Sequence, residues 1–174
     1  RFGPGSPRAQ ERFVLSDVVT TLLRTHRGET VIVSHDTSSP RPYSRDYLVQ
    51  GTLGIARKYP EPRIYIEGRS DPHRWDPVEA YVEEYDHPLW QKYGEYAMGS
   101  GHGGMDFFVL HAFVESARQN MPPPIDVYDA ASWSAVTPLS ERSIAENGAP
   151  QFFPDFTRGR WMNRKPVFAL GDDF

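Results

Sequence analysis

Along the first third of the chain, apolar side chains recur at every second position. In the segment 29–36, Val31, Val33 and His35 fall on one side and Ile32, Ser34 and Asp36 on the other, which is the period of a strand. The segments 11–16 and 18–25 are equally rich in Val, Leu and Thr, so the start of the chain predicts antiparallel strands. His26, Arg27 and Gly28 suit a three-residue hairpin loop with Gly28 at the position that needs a positive φ. Pro40 and Pro42 then end the pattern, because each removes a backbone donor and holds the residue before it extended. Further short strands are predicted at 46–50, 53–56 and 63–67.

After Gly68 the spacing becomes helical. Asp76 and Pro77 read as an N-cap followed by Pro at the first helical position, opening a helix through Tyr85. A second helix is predicted over 87–98, a third over 105–120 with Phe108, Ala112 and Phe113 on one face, and a fourth over about 126–147 with Gly148 as its C-cap. The tail 149–174 carries Phe152, Phe153, Phe156, Trp161 and Phe168 between prolines and charges and reads as an irregular strap. Strands first and helices later predict an α+β domain, an open and mostly antiparallel sheet with helices packed on one face. Alternation of strand and helix, as in a dinucleotide-binding βαβ unit, is absent from this pattern.

Composition adjusts the picture in three ways. A length of 174 residues is that of one domain. Leu, Ile, Val and Phe make up only about 22% of it, just above the roughly 20% below which chains stay disordered. Aromatic residues, at 13%, make good the shortage. The net charge of −4 gives no basic footprint for nucleic acid or an anionic membrane. Zero cysteines exclude disulfides and thiolate chemistry but leave the compartment open. No apolar run reaches the roughly 20 residues that span a bilayer, and a chain opening on Arg1 reads as a processed product or a piece of a larger protein.

Several segments invite chemistry. Gly99, Gly101 and Gly104 satisfy G-x-G-x-x-G, and Asp126 lies about 20 residues on, where a dinucleotide fold places its ribose-binding acid. The residues before those glycines are polar and helical rather than a buried strand, so the expectation is that this loop binds no NAD. Its glycines open a helix all the same, and His102 and Asp106, four apart, could face one way as ligands or as an acid–base couple. The six histidines, His26, His35, His73, His87, His102 and His111, show no metal-binding spacing, and no metal site is expected. Glu83-Glu84 and Asp172-Asp173 are neighbours along the chain, which suits a solvated face better than a glycosidase pair across a cleft. Tyr81, Tyr85, Trp90, Tyr93 and Tyr96 could stack on sugar rings, yet their helical spacing favours core packing. Tyr43 follows the stiff Pro40-Arg41-Pro42 turn, which would hold its phenol exposed.

Taken in order, the strings His35-Asp36-Thr37-Ser38-Ser39-Pro40-Arg41-Pro42-Tyr43-Ser44-Arg45, Gln50-Gly51-Thr52, Gly101-His102-Gly103-Gly104-Met105-Asp106-Phe107, Asp126-Val127-Tyr128-Asp129-Ala130-Ala131 and Pro154-Asp155-Phe156-Thr157-Arg158-Gly159 resemble the C-terminal domain of the NAD-dependent alpha-N-acetylgalactosaminidase glycosidases, in the Gfo/Idh/MocA oxidoreductase-like superfamily. The resemblance runs from about Val18 to Trp161. It implies a parent enzyme in which a separate N-terminal Rossmann domain grips NAD and the present domain closes the pocket and builds oligomer contacts. It further implies hydrolysis by transient oxidation of the sugar at C3, elimination of the aglycone, water addition and hydride return. By the same resemblance Tyr43 touches the sugar, and Arg41, His102 and Asp106 line or shape its pocket. The Rossmann domain and the family's Thr-His-Gly segment are not in these 174 residues. The expectations are therefore a carbohydrate partner bearing terminal alpha-GalNAc or a related sugar, the chain's own Rossmann domain and a homo-oligomer, with no nucleic acid and no membrane. The alternatives are the equivalent domain of a sugar dehydrogenase and a non-catalytic assembly module.

Overall fold

The computed structural model describes residues 3–11 and 16–165. All strand pairing among them is antiparallel, and the strands precede the long helices, so the chain is α+β. It divides into two units between Arg45 and Asp46.

The first unit is a hairpin. Strand β1 (Val18–Arg24) pairs with β2 (Thr30–Asp36) in a register that sets Val18 against Asp36 and Arg24 against Thr30. Thr25 N–H donates to Glu29 O at 2.9 Å, which leaves His26, Arg27 and Gly28 as the loop, and Gly28 takes φ 101° as its position requires. Val19, Thr21 and Leu23 form its half-buried side, while Leu22 and Ile32, directly opposite each other, lie 72% and 65% exposed. The strand predicted at 11–16 lies mostly outside the described residues, as do Phe168, Asp172 and Asp173.

The second unit starts with a four-stranded meander of β3 (Leu48–Gln50), β4 (Gly54–Arg57), β5 (Arg63–Ile66) and β6 (Asp76–Pro77), hydrogen-bonded in chain order. Gly54 carries no side chain where a Cβ would collide with the Tyr65 carbonyl oxygen across the ladder. The helix predicted to open at Asp76-Pro77 starts later. Asp76 and Pro77 pair with Ile64 and Arg63 as β6, and Pro77 at φ −68°, ψ 136° stays extended. Asp76 spends its carboxylate on the Tyr81 hydroxyl, 2.7 Å away, instead of capping; a 3₁₀ turn, Val78–Tyr81, then leads into α1 (Val82–Tyr85).

Three longer helices follow. In α2 (Pro88–Ala97), His87 is the cap, its Nδ1 accepting from Leu89 N–H at 3.1 Å. α3 (Met105–Gln119) ends on Asn120 in the left-handed conformation. α4 (Val127–Ala145) begins with a capping box: Asp126 accepts from the N–H groups of Tyr128 and Asp129, and Asp129 accepts from the N–H of Asp126. Its end is marked by Asn147 and Gly148 at positive φ, with Gly148 N–H donating back to Ser143 O at 2.7 Å. An aromatic layer lies between α2 and α3. Trp90 meets Phe108 with ring centroids 4.5 Å apart, Tyr93 meets Phe107 and His111, and His111 stacks on Phe107 at 5.6 Å. Leu89 and Ala97 are buried in α2, and Ala135 in α4. The tail as far as residue 165 is a strap: Arg164 forms a two-pronged pair with Asp129 at 2.9 and 2.6 Å and reaches Asp126 at 3.2 Å.

Candidate functional site

The four nominated residues fall into two clusters, one in each unit. In the first, the loop after β2 folds back on the strand end. Asp36 accepts from Ser39 N–H at 3.1 Å, and this bond, with the Arg41 guanidinium, holds its carboxyl below the usual carboxylate range. Arg41 Nε lies 3.2 Å from Asp36 Oδ2, while its other nitrogens donate to the carbonyls of Asp36 and Ser44. Arg41 thus braces the loop. Tyr43, 73% exposed, is held by another residue: Arg45 Nε donates to its phenol oxygen at 2.6 Å. Asp36 and Arg45 were not nominated from the sequence; both lie in the same string around the proline turn, but which arginine braces the loop and which reaches the phenol is set by how the loop turns.

In the second cluster the structure does bring the expected pair together. His102 Nδ1 lies 2.8 and 3.1 Å from the two carboxylate oxygens of Asp106. A carboxylate only accepts, so Nδ1 is the donor of this bond. The couple is exposed, 71% for His102 and 48% for Asp106. His102, Gly103 and Gly104 follow one another at φ 55°, 69° and 98°. Gly101 is bare where a Cβ would overlap the Asp106 carboxylate, and Gly104 is bare where a Cβ would sit 2.8 Å from the Trp90 ring.

Those contacts also bear on the dinucleotide reading of the same loop. The glycines follow helix α2 rather than a strand, and the space beside Gly101 and Gly104 is filled by the Asp106 carboxyl group and the Trp90 indole, so these residues do not fit a pyrophosphate. Asp126, the would-be ribose acid, is the cap of α4.

Other candidates resolve into structure. Trp90 and Tyr93 belong to the α2–α3 layer, and Tyr81 and Tyr85 flank the Arg69 guanidinium at 5.2 and 5.7 Å; Tyr85 and Tyr96, 55% and 75% exposed, are not the core residues that their helical spacing suggested. Glu84 pairs with Arg69 at 2.8 Å, which keeps its carboxyl low. Among the described residues no three His, Asp or Glu side chains gather as a metal site would require. A cleft of about 400 Å³ between the strap and the start of α4 holds none of the four nominated residues, and its cations are already engaged, Arg164 by Asp126 and Asp129 and Arg160 by the Tyr128 ring and hydroxyl.

Fold and clusters define an antiparallel α+β module that offers a tyrosine on a braced loop and an exposed histidine–aspartate couple, both suited to polar ligands. Comparison with known proteins places it further. The model of the glycosyl hydrolase 109 C-terminal domain family matches residues 1–163, and the chain belongs to that family. It is 52% identical over 168 residues to a glycosyl hydrolase family 109 protein of Stenotrophomonas maltophilia, covering 97% of this chain and 37% of that protein. To an alpha-N-acetylgalactosaminidase of Tannerella forsythia it is 47% identical, covering 97% of this chain and 36% of that one. The chain therefore spans little more than a third of the length of these curated relatives.

Proposed function

We propose that this chain is the substrate-side domain of a glycosidase that removes terminal alpha-linked N-acetylgalactosamine, with Tyr43 touching the sugar. The observation that carries the reading is the presentation of Tyr43. Arg45 Nε anchors the phenol oxygen at 2.6 Å while the ring stays 73% exposed, so the side chain is presented at the surface in a fixed orientation that suits contact with a sugar. Arg41 and Asp36 keep the loop in place. The name of the Tannerella forsythia relative supports the choice of sugar.

NAD is assigned to a separate N-terminal domain of the parent, since the one glycine loop here does not fit it; when bound there, it would supply the reversible oxidation that the family resemblance implies. This chain's own contribution is to bind and orient the sugar. Its partners in the proposal are that domain and further copies of the same enzyme.

The test is release of aglycone from an aryl alpha-N-acetylgalactosaminide by the full-length enzyme. Catalytic release without net accumulation of NADH supports the glycosidase. Stoichiometric NADH with a free sugar, and no aglycone release, would make the parent a sugar dehydrogenase instead.

A further inference from the structure

We propose that Arg57, stacked on Trp75 at the end of β4, is a binding site for a carboxylate-bearing sugar. The inference rests on the glycosidase reading above for the choice of a sugar as ligand; the carboxylate is called for by the arginine itself.

Four features of this side chain support it. Its guanidinium carbon lies 4.8 Å from the centroid of the Trp75 ring, so the indole fixes the plane of the fork. Its Nε is shut off from solvent and meets no acceptor, the one buried side-chain nitrogen or oxygen among the described residues in that state. A buried donor left unpaired on a charged group is costly and calls for a physical explanation. Burial of Nε leaves the two terminal nitrogens of this half-buried side chain as the donors a ligand reaches, and among the described residues they hold no carboxylate, carbonyl or hydroxyl. Finally, the pairing of β4 with β5 sets Arg57 directly opposite Arg63, and like charges at opposed positions of a ladder repel. Arg63 is neutralised by Glu61, 2.7 Å away, whereas Arg57 keeps its whole positive charge.

An arginine fixed by stacking, with its terminal fork open, matches the planar two-oxygen geometry of a carboxylate. It gains from such an anion twice, through two charge-assisted hydrogen bonds and through relief of the repulsion from Arg63. The surroundings suit a small polar ring. Trp75 and Leu48, the β3 partner of Arg57, are both exposed, so the C–H groups of a pyranose have apolar surface to rest on while its carboxylate meets the guanidinium. A uronic acid, whose carboxylate is attached directly to the ring, has this arrangement of groups. The site binds its ligand without making or breaking a bond in it.

The experiment is calorimetric titration of the full-length enzyme as wild type, Arg57→Gln, Arg57→Lys and, as a control at another surface cation, Arg118→Gln. The probes are D-glucuronate, its uncharged methyl ester and acetate. The wild type should bind glucuronate at least ~10-fold more tightly than either the ester or acetate. Arg57→Gln should abolish that preference. Arg57→Lys keeps the charge but loses the fork and its stacking, and should weaken glucuronate binding several-fold, while Arg118→Gln should bind as the wild type does. Thermal unfolding checks each variant, and if Arg57→Gln does not fold, Arg57→Lys carries the test. No binding of glucuronate by the wild type, or equal affinity in the Arg57 variants, overturns the proposal. Acetate bound as tightly as glucuronate overturns the sugar acid as ligand. Calorimetry does not depend on hydrolysis, so a wild type that binds glucuronate but releases no aglycone refutes the glycosidase reading and keeps this site, while the converse refutes this site alone.

Discussion

In the reading proposed above, Tyr43 owes its presentation to its neighbours. Its ring would be an ordinary surface tyrosine without the brace of Asp36 and Arg41 on one side and the Arg45 Nε donor on the other. Replacing it by Phe removes only the hydroxyl and keeps the ring, so the fold should be unaffected. For Tyr43→Phe in the full-length enzyme we expect unchanged thermal unfolding and at least ~10-fold lower kcat/KM on an aryl alpha-N-acetylgalactosaminide, the size typical of a lost hydrogen bond or proton transfer in the transition state. Wild-type rates in this variant would remove Tyr43 from the site. Tyr43 was nominated from its proline turn and from the resemblance of the string around it. Arg45 was not singled out, because which of two nearby arginines reaches the phenol depends on how the loop turns, and proline spacing does not specify that.

Among the elements, the start of α4 shows a helix end stabilised twice over. The capping box satisfies its backbone donors, and Arg164 from the strap pairs with both of the acids that build the box. The Arg164 guanidinium holds the Asp129 carboxyl below its ordinary value of 3.8. A depressed carboxyl contributes stability that is complete above its unfolded value and is lost as pH falls through the folded one. Arg164→Gln should therefore cost ~1 kcal/mol near neutral pH, the size of a well-formed and partly shielded ion pair. The difference in melting temperature between the two proteins should be constant above about pH 5 and shrink below about pH 4. A difference independent of pH across that window would show that Arg164 acts by packing alone. Asp126 was not singled out as a cap, although an Asp with a second Asp three residues on is the signature of one. The same grammar failed at Asp76-Pro77, because Pro at a second position is as content at a strand end as at a helix start, and pairing with Ile64 and Arg63 decided between them.

Over the whole molecule, the distribution of apolar surface is the main finding. On α3, Val109, Leu110 and Phe113 are each about two-thirds exposed, and on the hairpin Leu22 and Ile32 are more than three-fifths exposed. A two-stranded hairpin is at best marginally stable without a further packing partner, and apolar faces of this kind mark surfaces that another body covers. If the parent enzyme supplies that body, residues 1–174 alone should enhance the fluorescence of the dye ANS several-fold more than an equal concentration of the full-length enzyme. Equal enhancement would mean that these faces are exposed in both. By itself the sequence determined the antiparallel strands, the three-residue loop, the long helices, and the family, since all of these are written in local spacing and in strings of neighbouring residues. Only the tertiary structure decided that the glycine loop is a seat for Asp106 and Trp90, with His102 Nδ1 against the Asp106 carboxylate. Those outcomes depend on which side chain occupies the space beside a missing Cβ, and that is settled by packing between elements rather than by the order of residues within one.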